Sequence, residues 1–252
     1  MNTEQSKDLV QKAVELMRDA GAKYADARVT QASAFVAVAS KTKVVGENPS
    51  THGICLRAFS NGWGYYSVNA VTDIRQAAEN AVNAAKKLPK NPGFEEEKGI
   101  KQDFFEPAVK KFVETDLTDL VNTATKLNKD FLAQKNVLDA QTALTTSLEQ
   151  VTLANSFGSL MHKEINRTRY GVMAVAGDGV KQREYYHSDG AVSGTEYFDK
   201  ADLHESGLKV ANRARELLNA VQCPKDLKTV ILLGEGGGSG LLAHEAVGHA
   251  VE

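Results

Sequence analysis

The sequence predicts an α+β fold in which antiparallel β-meanders are flanked by helices. Three observations carry that reading. Apolar residues recur at helical spacing in four separate stretches. The stretches between them alternate apolar and polar residues with period two. One of those stretches contains Ser60-Asn61-Gly62 between two runs rich in aromatic and branched side chains, a strong hairpin signal.

Each element follows from its residues. Over 6–20, Leu9, Val10, Ala13, Val14 and Met17 repeat at helical spacing, and Gly21 is placed to stop the helix. The chain after it, ADARVTQASAFVAVASKTKVV, reads as extended, with Ala25, Ala27 and Val29 alternating against polar neighbours. In GICLRAFSNGWGYYSVN the Asn-Gly pair suits a type I′ turn, because both turn residues must take positive φ. A second helix is expected over about 72–88, with Ile74, Ala77, Ala78, Ala81 and Ala84 along one stripe. Residues 89–113 carry three prolines and the cluster Glu95-Glu96-Glu97-Lys98, and read as a connector over the surface. The scheme then repeats: a helix over about 117–134, strands through ANSFG and KQREYYHSDGAV, and a helix over about 201–220.

Helix, meander, helix thus occurs twice, which raises the expectation of a duplicated unit. On this reading residues 1–222 form an N-terminal α+β domain, with sub-units at about 1–88 and 114–222 joined by the linker 89–113. Residues 223–252 are separate: LKTVILLG reads as a buried strand, GEGGGSG as a glycine loop, and LLAHEAVGHAVE as a helix.

Bulk composition removes several classes of function. With 42% hydrophobic and 25% charged residues, the 252-residue chain has the make-up of a soluble globular protein. A net charge of -2 supplies no basic field for a phosphate backbone, so nucleic acid is not expected as a partner. The opening MNTEQSKDLV has no apolar run, so no signal peptide is expected, and no stretch reaches the ~18 apolar residues that a membrane span requires. Two cysteines, Cys55 and Cys223, make no disulfide framework and fit reduced thiols in a cytoplasmic protein.

The glycine loop does not match a nucleotide site. A P-loop needs lysine after its last glycine, and Leu241 follows Gly240. With Gly234 and Gly236 as the first pair, Ser239 stands at the third glycine of the dinucleotide fingerprint. Close approach of backbone to another strand or a peptide is the preferred role, and no organic cofactor is expected.

HEAVGH carries the sharpest chemistry. It begins like the zinc-protease pattern His-Glu-x-x-His, but His244 and His249 are five residues apart rather than four. At about 100° per residue, positions five apart on a regular α-helix diverge by about 140°, so one ion could not readily take both imidazoles. A single i→i+5 turn would bring them back to nearly one face, and Gly248 is the low-cost place for it. Neutral imidazole is a preferred zinc ligand, and Glu245, beside the first histidine, is placed to act as a general base. The alternative is two helix histidines with a surface glutamate between them.

VILLGEGGGSGLLAHEAVGHAVE resembles the motif region of the TldD/PmbA family of zinc metalloproteases, specifically the TldD-type members that retain HExxxH. GICLRAFSNGWGYYSV, with Arg57, Gly62-Trp63-Gly64 and an aromatic pair, is similar to the family's N-terminal hairpin, and ANSFG to its Asn-Ser-x-Gly turn. The resemblance implies a peptidase acting on short or unfolded peptides, in a two-chain particle that is a homodimer or a heterodimer with a PmbA-type relative. It implies zinc held by His244 and His249, Glu245 as catalytic base, and a third ligand, a cysteine, from a C-terminal domain beyond Glu252. It thereby marks 223–252 as the start of a truncated C-terminal part. A non-catalytic peptide-binding or partner subunit is the rival reading. Cys223 reads as a small buried residue rather than a substitute ligand. His52, His162, His187 and His204 have no partner at ligand spacing and read as surface or satisfied histidines, and Tyr65-Tyr66 and Tyr185-Tyr186 fit strand faces.

Overall fold

The computed structural model describes residues 1–251 except 70–72, 92, 94, 96–97, 107, 109, 223 and 226–236, with backbone alone for 237–239. Residues 1–218 form one compact unit and 219–252 a second. In the first unit, helix α1 (Thr3–Asp19) starts in a capping box: the Asn2 side chain accepts from the Gln5 N–H, and the Gln5 side chain accepts from the Asn2 N–H. It buries Val10, Ala13, Val14 and Met17, the stripe expected from their spacing. Helices α2 (Ile74–Lys86) and α3 (Leu117–Leu132) are capped by Asp73 and Asp116, whose carboxylates accept backbone N–H groups of the first turn. A short α4 (Glu196–Lys200) precedes α5 (Leu203–Leu218).

Among the described residues, eight strands belong to one sheet. Its spine is β1 (Tyr24–Ser40), β6 (Val137–Asn155) and β7 (Leu160–Gly177), of 17, 19 and 18 residues, paired antiparallel. Along the outer side of β1 lie β2 (Val44–Glu47) and β3 (Ser50–Phe59), with β4 (Trp63–Val68) beyond β3. Along the outer side of β7 lie β5 (Lys101–Phe105) and β8 (Gln182–Ala191). The two helix–meander–helix halves therefore meet through the β1–β6 ladder and share a single sheet.

Side-chain alternation places the core on one face. Buried positions are Ala25, Ala27, Val29, Ala37 and Ala39 on β1, Ala140, Leu144 and Ala154 on β6, and Tyr170, Val172, Ala174 and Ala176 on β7. Ala27 faces Ala154, Ala37 faces Leu144, and Leu144 faces Tyr170, so these residues point the same way. α1 and α2 cover one end of this face, and α3 and α5 cover the other. Among the described residues no helix is long and apolar enough to cross a membrane.

Two expectations for this unit are corrected. Ser60–Gly62 does join β3 to β4, but neither Asn61 nor Gly62 has positive φ, so the turn is not type I′. Tertiary hydrogen bonds set its shape instead: the Gly62 N–H donates to Ala85 O, and Asn61 Nδ2 donates to Lys86 O, both at the end of α2. Glycine is required at 62 for proximity, because a Cβ there would come within 2.9 Å of Leu88 Cβ. Second, the connector holds regular structure. β5 pairs parallel with β7, and a 3-10 turn over Phe112–Glu114 seats Phe112 against Phe35, with ring centroids 4.7 Å apart. Its residues Lys101–Phe105 are all exposed, which is why no alternation marks the strand in the sequence.

The β4–α2 contact is the tightest backbone approach at that end. A Cβ on Gly64 would lie 2.2 Å from Ala81 O and 2.4 Å from Ala85 N, both main-chain atoms that cannot rotate away. Gly64→Ala is expected to lower unfolding free energy by about 1–3 kcal/mol or more, measured by urea denaturation with unchanged m-value.

Candidate metal centre

The second unit contains the HEAVGH segment. Helix α6 (Gly237–Ala243) begins within the glycine run, so Gly237, Gly238 and Gly240 are helical, while Gly234 and Gly236 lie outside the described residues. The predicted strand LKTVILLG and Cys223 lie outside the described residues. After α6 the chain makes one π-type turn, His244–Gly248, and resumes as α7 (His249–Val251). The His249 N–H bonds His244 O, the i→i+5 bond that the five-residue spacing demands. Gly248 closes the turn. A Cβ there would meet nothing nearer than His244 Nδ1 at 3.8 Å, so glycine contributes low backbone stiffness rather than needed space.

This turn brings the two imidazoles together. Their centroids are 4.5 Å apart in an edge-to-face arrangement, where a regular helix would have pointed them apart. One ligand atom each from His244, Glu245 and His249 fall within 4.8 Å of one another, and all three side chains are exposed. Ligand atoms around a tetrahedral zinc stand about 3.4 Å apart for bonds of about 2.1 Å. The cluster is within a side-chain rotation of that spacing, and its nitrogen–oxygen donor set suits zinc or another borderline divalent ion. The surrounding Leu241, Leu242, Val247 and Val251 are exposed as well.

The other described histidines lie elsewhere. His162 is buried, with Nδ1 2.8 Å from Thr152 Oγ1 and Nε2 3.3 Å from Glu164 Oε1. His187 packs on Tyr170, His204 lies 3.6 Å from Asp130, and His52 lines a cavity between β1 and β3.

The hairpin residues singled out in the sequence form a second polar cluster in the first unit. Arg57 Nε donates to the buried Asp26 carboxylate at 2.7 Å, and its guanidinium stacks 4.9 Å from the Trp63 ring. The Tyr24 hydroxyl donates to the same carboxylate. Burial raises the Asp26 pKa, and the opposing bonds to Arg57 and Tyr24 do not cancel it. A carboxyl raised in the folded state binds its proton more tightly there than in the unfolded chain. Its contribution to stability is therefore full below the ordinary carboxylate range and declines as pH rises through the raised value. Asp26→Asn is expected to flatten that decline in urea midpoints measured across the acid range.

The turn ANSFG is explained by its bonds. Asn155 Oδ1 accepts from the N–H groups of Phe157 and Ser159, Gly158 takes φ +91°, and the Ser156 hydroxyl accepts from the Ala25 N–H.

Comparisons with known proteins bear on this arrangement. Residues 110–218 match the model of the PmbA/TldA metallopeptidase central domain. A metalloprotease from Methanothermobacter thermautotrophicus is 33% identical over 98 residues, which is 39% of this chain and 21% of that protein. Among solved structures, a proposed modulator of DNA gyrase from Bacteroides thetaiotaomicron aligns with TM-score 0.73 and 16% identity, over 85% of this chain and 50% of that one. A second proposed gyrase modulator, from Thermotoga maritima, gives 0.72 and 14%, over 88% and 50%. TldE from Thermococcus kodakarensis gives 0.65 and 16%, over 82% and 46%. At such identities the structures establish a shared fold, and this chain spans about half the length of each. Residues 110–218 are thus similar to the PmbA/TldA metallopeptidase central domain, and the chain shares the fold of these solved structures.

Proposed function

We propose that the chain contributes the metal-binding helix of a peptidase, with His244 and His249 holding a zinc ion and Glu245 acting as general base. The observation that carries this reading is the π turn, which gathers two imidazoles and a carboxylate within 4.8 Å on adjoining turns of one helix. Bound there, zinc would supply Lewis acidity that polarises a peptide carbonyl and makes water a better acid. Glu245 would take the proton from water and return it to the leaving amine. Two imidazoles leave the ion short of the three protein ligands of a catalytic zinc site, so a further ligand is assigned to polypeptide outside the described residues. The four exposed apolar side chains on this helix fit a segment that is covered when that site is complete. The resemblance to TldD-type proteins supports short or unfolded peptides as substrates and a two-chain particle, either a homodimer or a pair with a PmbA-type relative.

Zinc content of the whole protein tests the ligand assignment. His244→Ala and His249→Ala are each expected to remove stoichiometric zinc while leaving the thermal unfolding of the sheet domain in place. Retention of zinc in both variants would sink the assignment. Retained zinc without any peptidase activity would favour a binding subunit instead.

A further inference from the structure

The first unit buries its apolar side chains in two clusters that have no residue in common. One gathers Val10, Met17, Val29, Leu56, Val82 and Ala154 between the sheet and α1–α2. The other gathers Ala37, Phe131, Leu144, Tyr170, Val172 and Val210 between the sheet and α3–α5. On β1 their nearest buried members are Val29 and Ala37, eight positions apart, about 26 Å along an extended strand. On β6 they are Ala154 and Leu144, ten positions or about 33 Å apart.

A polar belt fills that interval on the same face of the sheet. Gln31, Gln150 and Glu164 stand abreast on β1, β6 and β7, and Ser33, Leu148 and Asn166 form the next row on that face. The flanking rows pair Thr152 with His162 and Thr146 with Thr168. These groups satisfy one another within the sheet. Gln150 Nε2 donates to Glu164 Oε1 at 2.7 Å, Thr152 Oγ1 lies 2.8 Å from His162 Nδ1, and Thr168 Oγ1 lies 3.4 Å from Thr146 Oγ1. Such bonds join strand to strand and require neither helix pair. Little apolar surface is shared across the belt, so burial at one end adds little to the stability of the other.

We propose that the two ends of this unit open independently, each helix pair lifting with its own cluster while the strands stay paired through the belt. The unit is one body by its β1–β6–β7 ladders and two by its side-chain packing. The connector is anchored at both ends and is long enough to let either move. Its β5 pairs with 160–164 and its Asp103 binds Lys7 of α1 at 2.8 Å, while its Phe112 stacks on Phe35, which packs with the α3–α5 cluster. In the sequence α5 leads, past Leu218, to the HEAVGH segment. Opening of the α3–α5 end therefore lengthens the tether of that segment and leaves the α1–α2 end folded.

Native-state hydrogen exchange of the whole protein tests this, read by mass spectrometry on peptides from each helix where reclosing outpaces exchange. Phe131→Ala is expected to speed exchange of α3 and α5 amides by about 100-fold or more, leaving α1 and α2 within about threefold of the parent. Met17→Ala is expected to do the reverse, speeding α1 and α2 by about 30-fold or more. Should either variant fail to fold, Val210→Ala and Val82→Ala trim the same two clusters by two carbons each, with effects of about tenfold on the same helices. Equal acceleration of α1, α2, α3 and α5 by a variant from either cluster would show one cooperative core and overturn the proposal. Acceleration confined to the opposite helix pair, or unchanged exchange throughout, would overturn it too. No readout depends on metal or peptidase activity, so failure here is distinct from failure of the proposed function.

Discussion

Glu245→Gln in the whole protein is expected to lower kcat for peptide hydrolysis by on the order of 10²–10⁴-fold, with zinc content unchanged. The substitution keeps the shape and hydrogen-bonding reach of the side chain and removes only its ability to take a proton. The prediction separates two roles that the geometry alone leaves equivalent, because Glu245 offers an oxygen within the same 4.8 Å cluster as the two imidazoles. If Glu245 were a required ligand, zinc would fall together with activity. If it is the base, kcat falls alone and KM stays near its starting value, since the loss is confined to the transition state. Full activity in Glu245→Gln would remove the residue from the chemistry altogether.

Phe131→Ala is expected to cost about 3–5 kcal/mol of stability, and Gly207→Ala about 1–3 kcal/mol, yet the two together should cost less than their sum. Phe131, on α3, is fully buried, and its ring lies against the backbone of α5 at Gly207. A Cβ on Gly207 would sit 1.9 Å from Phe131 Cζ, far inside van der Waals contact. The ring cannot swing into solvent, so the two helices must separate. The higher helix propensity of alanine returns only about 1 kcal/mol of this. Truncating Phe131 leaves a void, and the Gly207→Ala methyl enters that void. Urea denaturation of the four proteins in the cycle should give a favourable coupling of about 0.5–3 kcal/mol. Additive losses would show that the α3–α5 contact relaxes independently at each residue.

Much of the fold was legible because its signals are local. Four helices follow from stripes such as Val10, Ala13, Val14 and Met17, which burial against the sheet makes obligatory. The long strands follow from alternation in segments with one buried face. β5 was not legible, because exposure of both its faces leaves no periodicity to read. The Asn61-Gly62 turn misled for a different reason: Asn-Gly is a propensity for positive φ, and hydrogen bonds to the end of α2 outweighed it. The start of α6 inside the glycine run was likewise hidden, since glycine opposes helix in isolation.

At the candidate site, the sequence by itself determined the chemical groups and a geometric condition. Two imidazoles five residues apart can share an ion only if the helix is widened between them, a consequence of about 100° per residue. The tertiary structure decided that the widening occurs, over His244–Gly248, and that the rings close to 4.5 Å. It also decided that the two helix–meander–helix stretches build one continuous sheet, because strand pairing joins residues more than a hundred positions apart and leaves no mark in local periodicity.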